Sequence, residues 1–322
     1  MRATVVGAGV AGLTVATALA ERGAQVTLIE RSREFGGNAS WLAGGMLAPF
    51  CEGESAPESV VALGQGAINW WAARVPGVER EGTLVVAPPR DAGEIDRFAA
   101  RTKSHMRVDE ARIAELEPDL AGRFRKGLFF ADEGHLDPRI ALSALTERLR
   151  AKGGEIRFGV DGETPSNAEV VIDCRGWAAR NALPQLRAVR GEMMRIRSRE
   201  VTLTRSVRFL HPRIPLYIVP RANGEFMIGA TMIESAEKGA VSVRSAIELL
   251  SAAYALHPAF GEAEIVEMSA DVRPAFPDNE PRIEERGGRI LVNGFYRHGF
   301  LLAPAFAERT ATIALERAEV LA

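Results

Sequence analysis

The first thirty residues constrain the fold of this chain more than any other segment. Residues 3–6 form a short apolar run typical of a buried parallel strand, and residues 10–22 carry apolar side chains at helical spacing. Residues 24–30 read AQVTLIE, a second strand, so the segment predicts a βαβ unit. The turn between the first strand and the helix reads GAGVAG over residues 7–12. A glycine-rich turn in this position is typical of dinucleotide-binding domains.

Each glycine of the turn has its own role in holding a pyrophosphate. Gly7 permits the tight turn, Gly9 lets the phosphates approach the backbone, and Gly12 lets the helix and the strand pack closely. The helix N-terminus adds unpaired amide groups and the positive end of its dipole. Glu30 ends the second strand, where its carboxylate can bind ribose hydroxyls and disfavours the 2′-phosphate of NADP. The turn alone does not distinguish FAD from NAD, nor exclude a turn without ligand.

Later segments predict how the rest of the chain is arranged around this unit. Strands over 169–174 and 289–294 extend the parallel sheet, a helix over 137–152 is capped by Asp137, and a final helix runs from about Pro304 to Leu321. Between them lie short strands separated by polar turns, at 82–87, 127–131, 191–197, 216–219, 225–230 and 264–268.

The expected fold class is therefore α/β, a Rossmann-like parallel-sheet domain with a second, mostly antiparallel-sheet (α+β) domain. We assign residues 1–50, 140–186 and 270–322 to the first domain. Residues 51–139 and 187–269 make up the second.

Composition excludes several other classes of protein. The net charge of −2 favours neither nucleic acid nor an acidic membrane surface. The two cysteines, Cys51 and Cys174, form no CxxC pair, so neither a metal site nor a disulfide framework is indicated. Glycines interrupt the apolar N-terminal run, and no other stretch is long and apolar enough to span a bilayer. We expect a cytoplasmic protein without an integral membrane segment.

Two further blocks of sequence distinguish a protein that binds FAD from one that binds NAD. Residues 36–49 read GGNASWLAGGMLAP, and residues 294–305 read GFYRHGFLLAPA. With VRGEMM at 189–194, LYIVPR at 216–221 and VRPAFPDNEPRI at 272–283, they resemble the D-amino-acid oxidase and glycine oxidase family of flavoenzymes. The resemblance spans nearly the whole chain.

The resemblance implies that FAD is bound without a covalent link, because no cysteine lies in the C-terminal block, where relatives that tether FAD carry one. It places the backbone of Val160 at the adenine and the loop 295–301 along the flavin, with His298 making backbone contacts only. The implied cofactor residues are Gly7, Gly9, Val10, Ala11, Gly12, Glu30, Arg31, Ala39, Ser40, Gly44, Gly45, Met46, Val160, Gly176, Phe295, Tyr296, Arg297, His298, Gly299, Phe300 and Leu301.

The resemblance also implies a binding site for the substrate's carboxylate. Arg273 and Arg297 would form a clamp, because a guanidinium offers a fork of donors that matches a planar carboxylate. Tyr217 would complete the carboxylate site and Met232 would line the pocket beside it. Pro215 stands where glycine oxidases carry a histidine, which affects the choice of substrate more than the choice of cofactor.

The implied reaction is the oxidation of a small amino acid, with glycine as the first choice. Hydride passes from the substrate carbon to flavin N5, no particular catalytic residue is required, and O2 becomes H2O2. The imine yields glyoxylate or supplies thiamine thiazole synthesis. A D-amino acid, sarcosine or a proline-like imino acid is the alternative substrate, and another electron acceptor stays open. A flavin-bearing or flavin-less scaffold without turnover and an NAD-dependent dehydrogenase also stay open. The resemblance also favours a homo-oligomer, a tetramer or dimer.

Overall fold

The computed structural model describes residues 1–161, 168–211 and 214–321. The strands are β1 Arg2–Val6, β2 Gln25–Glu30, β3 Met46–Leu47, β4 Val78–Glu79, β5 Thr83–Val86, β6 Met106–Asp109, β7 Lys126–Phe130, β8 Gly134–Leu136, β9 Glu155–Phe158, β10 Val170–Asp173, β11 Arg187–Arg197, β12 Ser206–Phe209, β13 Leu216–Pro220, β14 Glu225–Gly229, β15 Ile233–Glu234, β16 Glu264–Ala275, β17 Arg282–Arg286 and β18 Arg289–Asn293. The α-helices are α1 Val10–Glu21, α2 Pro49–Glu52, α3 Glu58–Gly64, α4 Ala67–Ala72, α5 Gly93–Arg101, α6 Glu110–Leu116, α7 Pro138–Ala151, α8 Val243–Leu256 and α9 Gly299–Leu321.

The first sheet has the strand order β17-β18-β10-β1-β2-β9. All its pairings are parallel except that of β17 with β18. Its central strands are mostly buried, with Val5 and Leu28 fully buried, as expected for strands that are covered on both faces. Helices α1, α7 and α9 contribute to the same core, through Leu13, Leu145 and Ala307 among others. The predicted Rossmann-like sheet is confirmed.

The second sheet has nine strands, in the order β15-β11-β14-β13-β12-β5-β7-β6, with β16 paired to β11. Its pairings are antiparallel apart from β5 with β12, so the prediction of a mostly antiparallel sheet is also confirmed. Helix α8 covers part of one face through Leu249 and Leu256. The exact domain boundaries stay a prediction.

The prediction that the last helix begins near Pro304 is wrong, since α9 begins at Gly299 and contains Pro304. Proline lacks the N–H that would bond the carbonyl of Phe300 four residues earlier. That carbonyl instead accepts a 2.8 Å hydrogen bond from the indole Nε1 of Trp71. The helix therefore continues through the proline because a distant side chain replaces the missing donor.

Long strands bring the two sheets into contact. Strand β16 pairs with β11 over its whole length in the second sheet, and its last residue, Ala275, forms an isolated bridge with Phe295, just after β18 of the first sheet. The carboxyl ends of the parallel strands therefore face the second sheet. Among the described residues, no helix has the length and apolar character that crossing a bilayer requires.

Candidate cofactor and substrate site

A cavity of about 340 Å³ lies at the carboxyl ends of the parallel strands. Val6, Glu30, Cys174 and Asn293, at or just after the ends of β1, β2, β10 and β18, all line it. Ligands of open parallel sheets bind at this edge. The cavity extends to the second sheet, so that every cofactor and substrate residue predicted from the sequence lines it, except Gly12.

Gly12 has a packing role. A Cβ at Gly12 would lie 1.8 Å from the carbonyl oxygen of Gly7, so only glycine allows α1 to approach β1 this closely. Gly7 has a φ of +105°, and a Cβ there would lie 2.8 Å from the carbonyl oxygen of Cys174. Gly9 is less crowded, since its Cβ would meet only the Ser40 hydroxyl at 3.2 Å. The turn is thus folded tightly at two glycines and open to the cavity at the third.

Amide groups of the turn already have polar neighbours. Glu30 Oε2 accepts a 2.8 Å hydrogen bond from the Ala8 amide, and the Ser40 hydroxyl accepts one of 3.0 Å from the Val10 amide. Val160 lies beside Glu30, with its amide donating to the Glu30 carbonyl at 3.0 Å. The acid predicted to bind ribose and the serine predicted to contact the cofactor are therefore brought to the phosphate-binding turn.

The loop before β3 forms the wall of the cavity between the two sheets. Gly45 has a φ of +69°, and a Cβ there would lie 2.2 Å from the Leu136 carbonyl oxygen. Gly44 packs against the ring of Tyr217, so that a Cβ would lie 2.8 Å from Cε2 of the ring. The loop thus has glycine at both positions because backbone and side chains of other elements approach it closely.

Arg273 lies at the substrate end, on β16. A Cβ on Gly191 of the neighbouring strand would lie 2.2 Å from its Nη2, so glycine there makes room for the guanidinium. Its Nη1 donates a 3.0 Å hydrogen bond to the Thr231 carbonyl. Within the part of the chain that the structure describes, Arg273 takes part in no ion pair. It is therefore a cation available to an anionic ligand.

Tyr217 lies in the same part of the cavity, on β13. Burial raises the pKa of its hydroxyl, although the positive charge of Arg273 opposes this effect. The phenol is consequently protonated at neutral pH and can donate a hydrogen bond. A cation and a neutral donor that line the same cavity suit the two oxygens of a carboxylate.

Arg297 differs from Arg273 because it is already paired. Its Nη2 lies 2.7 Å from Glu52 Oε2 and donates a 2.7 Å hydrogen bond to the Ser55 hydroxyl. Met232, the fourth predicted substrate residue, lines the cavity with its Sδ 3.8 Å from Nη1 of Arg297. Both arginines of the predicted clamp therefore line the cavity, but a carboxylate of the protein is paired with one of them.

Glu52 is a residue that the sequence analysis missed. It ends α2, and Arg208 of β12 lies 3.3 Å from its Oε1. Burial alone would raise the pKa of Glu52, but Arg297 and Arg208 outweigh it and hold that pKa at about 2. One sequence signal could have found it: Glu52 is the first charged residue after Glu34, so it follows a long uncharged stretch.

His298 lies against the same carboxylate. It is 4% exposed, with Nδ1 3.4 Å from Glu52 Oε2, whereas a position with backbone contacts only was expected. Burial lowers the pKa of His298 to about 4, and Glu52 opposes the shift only in part. The imidazole is therefore neutral at pH 7, and the acid that it contacts is Glu52.

The residues of the cavity fit an FAD. The open glycine at the N-terminus of α1 leaves room for a pyrophosphate, and Glu30 stands where ribose hydroxyls are bound. The rest of the cavity, walled by Gly44, Gly45 and the segment 295–301, continues from that turn to Arg273 and Tyr217. A dinucleotide held at the turn would thus have its far end beside the candidate substrate residues.

Comparison with known proteins agrees with this reading. Residues 2–313 match the model of the DAO family, described as FAD dependent oxidoreductase. The chain is 57% identical to the "Putative thiamine biosynthesis oxidoreductase ThiO" of Rhizobium etli, over 97% of this chain and 95% of that protein. It is 27% identical to a glycine oxidase of Pseudomonas aeruginosa, over 99% of this chain and 96% of that one.

A solved structure, that of glycine oxidase from Geobacillus kaustophilus, superposes with a TM-score of 0.82. It covers 98% of this chain and 95% of that chain, at 22% identity, which shows a shared fold. The family model, by contrast, covers almost the whole sequence. The chain therefore belongs to the DAO family of FAD-dependent oxidoreductases.

Proposed function

We propose that this protein oxidises a small amino acid, glycine first, to its imine, which hydrolyses to glyoxylate and ammonia. The substrate loses two electrons and two protons, and O2 takes them up as H2O2. The observation that carries the proposal is the guanidinium of Arg273, which has no ion pair among the described residues and lines, with the Tyr217 phenol, the cavity that also holds the phosphate-binding turn. An amino-acid carboxylate needs this pair of donors.

The residues of the chain would act mainly by position. When bound, FAD supplies the acceptor of two electrons, and O2 reoxidises it. Arg273 and Tyr217 bind the carboxylate, which fixes the direction in which the α-carbon points. The ring of Tyr217 packs against Gly44, so the loop that walls the cavity and the substrate donor hold each other in place. Such orientation accounts for a large part of the rate in reactions of two bound partners.

A strong general base is not part of the proposal. The amine has to be neutral when it is oxidised, and the pKa of His298 at about 4 leaves that imidazole neutral but poorly basic. Glu52, with a pKa of about 2, is likewise a weak base. The enzyme would therefore oxidise the fraction of substrate whose amine is already deprotonated in solution. The turnover rate should consequently rise as the pH approaches the pKa of the substrate's ammonium group.

The relatives support glycine as the first substrate to test. The Rhizobium etli protein carries thiamine biosynthesis in its name, and its identity of 57% extends over 97% of this chain. The imine of glycine is the product that thiazole synthesis would use, and we propose that this protein supplies it. A homo-oligomer and a cytoplasmic location also stay predictions.

The test is anaerobic mixing of the purified flavoprotein with glycine, sarcosine, D-alanine and D-proline, followed by flavin absorbance. Fastest bleaching by glycine, with peroxide on admission of air, is the expected result. Faster bleaching by another amine would move the substrate assignment to that amine. A yellow protein that no amine reduces would overturn the proposed activity.

The carboxylate site is tested by Arg273→Met. This change should raise KM for glycine by about a hundredfold, since a charge-assisted pair is lost. Arg199→Met is the matched control, because Arg199 is 88% exposed and its ion-pair contact with Glu264 is long, at 3.9 Å. An unchanged KM in Arg273→Met would show that the carboxylate binds elsewhere.

A further inference from the structure

The two arginines of the substrate site are not equivalent. Arg273 takes part in no ion pair within the described residues, whereas Arg297 is held at 2.7 Å by Glu52 and at 2.7 Å by the Ser55 hydroxyl. A symmetric clamp would need both guanidinium groups free for the substrate. Among the described residues, the structure instead provides one arginine without an ion pair, Arg273, and one, Arg297, that shares the Glu52 carboxylate with Arg208.

Glu52 is placed where substrate can reach it. It lies at the end of α2, lines the cavity together with Arg273 and Tyr217, and has a side chain that is 14% exposed. Arg208 and His298 also contact it, at 3.3 Å and 3.4 Å. Its charge contributes to the electrostatic environment of the Tyr217 hydroxyl, with those of Arg273 and Arg297. The carboxylate thus belongs to the pocket and not to the surface.

A second carboxylate cannot bind Arg297 without approaching Glu52. Two like charges at a shared, partly buried partner repel each other, and the pocket offers Arg273, which has no ion-pair partner in the described part of the chain, as an alternative. The substrate's carboxylate therefore binds Arg273 and Tyr217. Its other polar group, the amine, is a hydrogen-bond donor, and a carboxylate that accepts only is its natural partner.

We propose that Glu52 is a specificity-determining residue, an inference that rests on the proposed function. It keeps Arg297 paired and accepts a hydrogen bond from the substrate's amine. The site thereby selects α-amino acids over carboxylic acids of the same size that lack an amine. Glu52 acts through both contacts, so removing its charge has opposite effects on the two classes of ligand.

The test compares acetate, which has the carboxylate and no amine, with glycine. In Glu52→Gln, Arg297 no longer has Glu52 as an anionic partner, so the dissociation constant of acetate should fall by about tenfold. The dissociation constant of glycine, measured anaerobically from the rate of flavin reduction, should rise by about tenfold. Acetate binding is followed by the perturbation of flavin absorbance, which requires no turnover.

Glu54→Gln is the matched control, because Glu54 is two residues away and pairs with the exposed Arg101. It should change neither constant. Glu52→Asp keeps the charge and shortens the side chain. It should therefore leave acetate binding within about twofold of wild type and weaken the binding of glycine. This variant replaces Glu52→Gln in the test if the glutamine variant does not fold.

Weaker binding of both ligands in Glu52→Gln, or no change in either, would overturn the inference and leave Glu52 a structural residue. Failure of the proposed function has a different signature. In that case no amino acid reduces the wild-type flavin, while the acetate titration still reports whether Glu52 masks Arg297.

Discussion

The Arg221 guanidinium donates a 2.6 Å hydrogen bond from Nη2 to the carbonyl oxygen of Gly44. Arg221 follows β13 in the hairpin of the second sheet, and Gly44 belongs to the loop that walls the cavity. Burial lowers the pKa of Arg221 to about 10, with Asp137 at 3.5 Å opposing that effect, so the side chain is charged at pH 7. The contact therefore fixes the cofactor loop to the strand that carries Tyr217.

Replacing Arg221 by methionine should loosen this loop. The Gly44 carbonyl would lose a charge-assisted donor, a loss of about 1.5–3 kcal/mol, and the loop would no longer be held for FAD. We expect the dissociation constant of FAD to rise by about tenfold or more in fluorescence titrations of the apoprotein. Arg199→Met, on the surface, should bind FAD as the wild type does. Equal affinities in the two variants would show that the loop holds its shape without Arg221.

Gly9→Ala should separate cofactor binding from folding. Its Cβ would meet only the Ser40 hydroxyl at 3.2 Å, so the apoprotein should keep its melting temperature within a few degrees. A bound pyrophosphate would collide with the new methyl group, and we expect FAD affinity to fall by about a hundredfold. The measurements are the melting temperature of apoprotein and the FAD content after purification.

Substitutions at two other glycines serve as controls for Gly9→Ala. Gly12→Ala places a Cβ 1.8 Å from the Gly7 carbonyl and should prevent folding, while Gly66→Ala has nothing within 4 Å and should change neither property. If Gly9→Ala retained its FAD, the pyrophosphate would have to lie elsewhere.

Sequence reasoning located the phosphate-binding turn because every requirement there is local. Gly7 and Gly12 have to be glycine because of the backbone around them, Gly9 leaves the turn open to the cavity, and strand and helix patterns flank the three in order. Parallel strands bury both faces and so read as apolar runs, which is why β10 and β18 were also found. Patterns of this kind depend on residues that are close together in the sequence.

Glu52 and the start of α9 could not be predicted for the opposite reason. The partners of Glu52 are Arg208 and Arg297, which are separated from it by more than a hundred residues. Likewise, Pro304 alone predicts the beginning of a helix, because the sequence does not show that Trp71 donates a hydrogen bond to the Phe300 carbonyl. Contacts between distant segments decide both features, and a single sequence does not encode them as a pattern.

Glu133 should make the stability of the protein depend on pH. It is fully buried, and burial raises its pKa from 4.5 to about 7, although the Cys51 amide donates a 2.7 Å hydrogen bond to its Oε1. Between these two values the folded chain keeps a proton that the unfolded chain has released. Stability from this group is therefore fully present below about pH 4.5 and is lost as the pH rises to about 7.

Glu133→Gln should remove that dependence. A shift of this size corresponds to roughly 3 kcal/mol, so the free energy of unfolding of wild type should fall by up to that amount between pH 5 and pH 8 relative to the variant. Urea unfolding at a series of pH values measures it. Glu58→Gln, whose side chain is 85% exposed, should track the wild type. Parallel curves for wild type and Glu133→Gln would mean that Glu133 is ionised in the folded protein.

The hydrogen bond between Trp71 and Phe300 can be tested by a double-mutant cycle with Pro304. In the wild-type background, Trp71→Phe leaves the buried Phe300 carbonyl without a donor and also removes packing, for a loss of about 3 kcal/mol or more. In the Pro304→Ala background, the alanine N–H can donate to the Phe300 carbonyl four residues earlier. Trp71→Phe should therefore lower the free energy of unfolding by about 1–2 kcal/mol less than it does in the wild-type background. The loss of packing is common to both backgrounds and cancels. Additive effects in urea unfolding would show that the indole does not replace the missing helical donor.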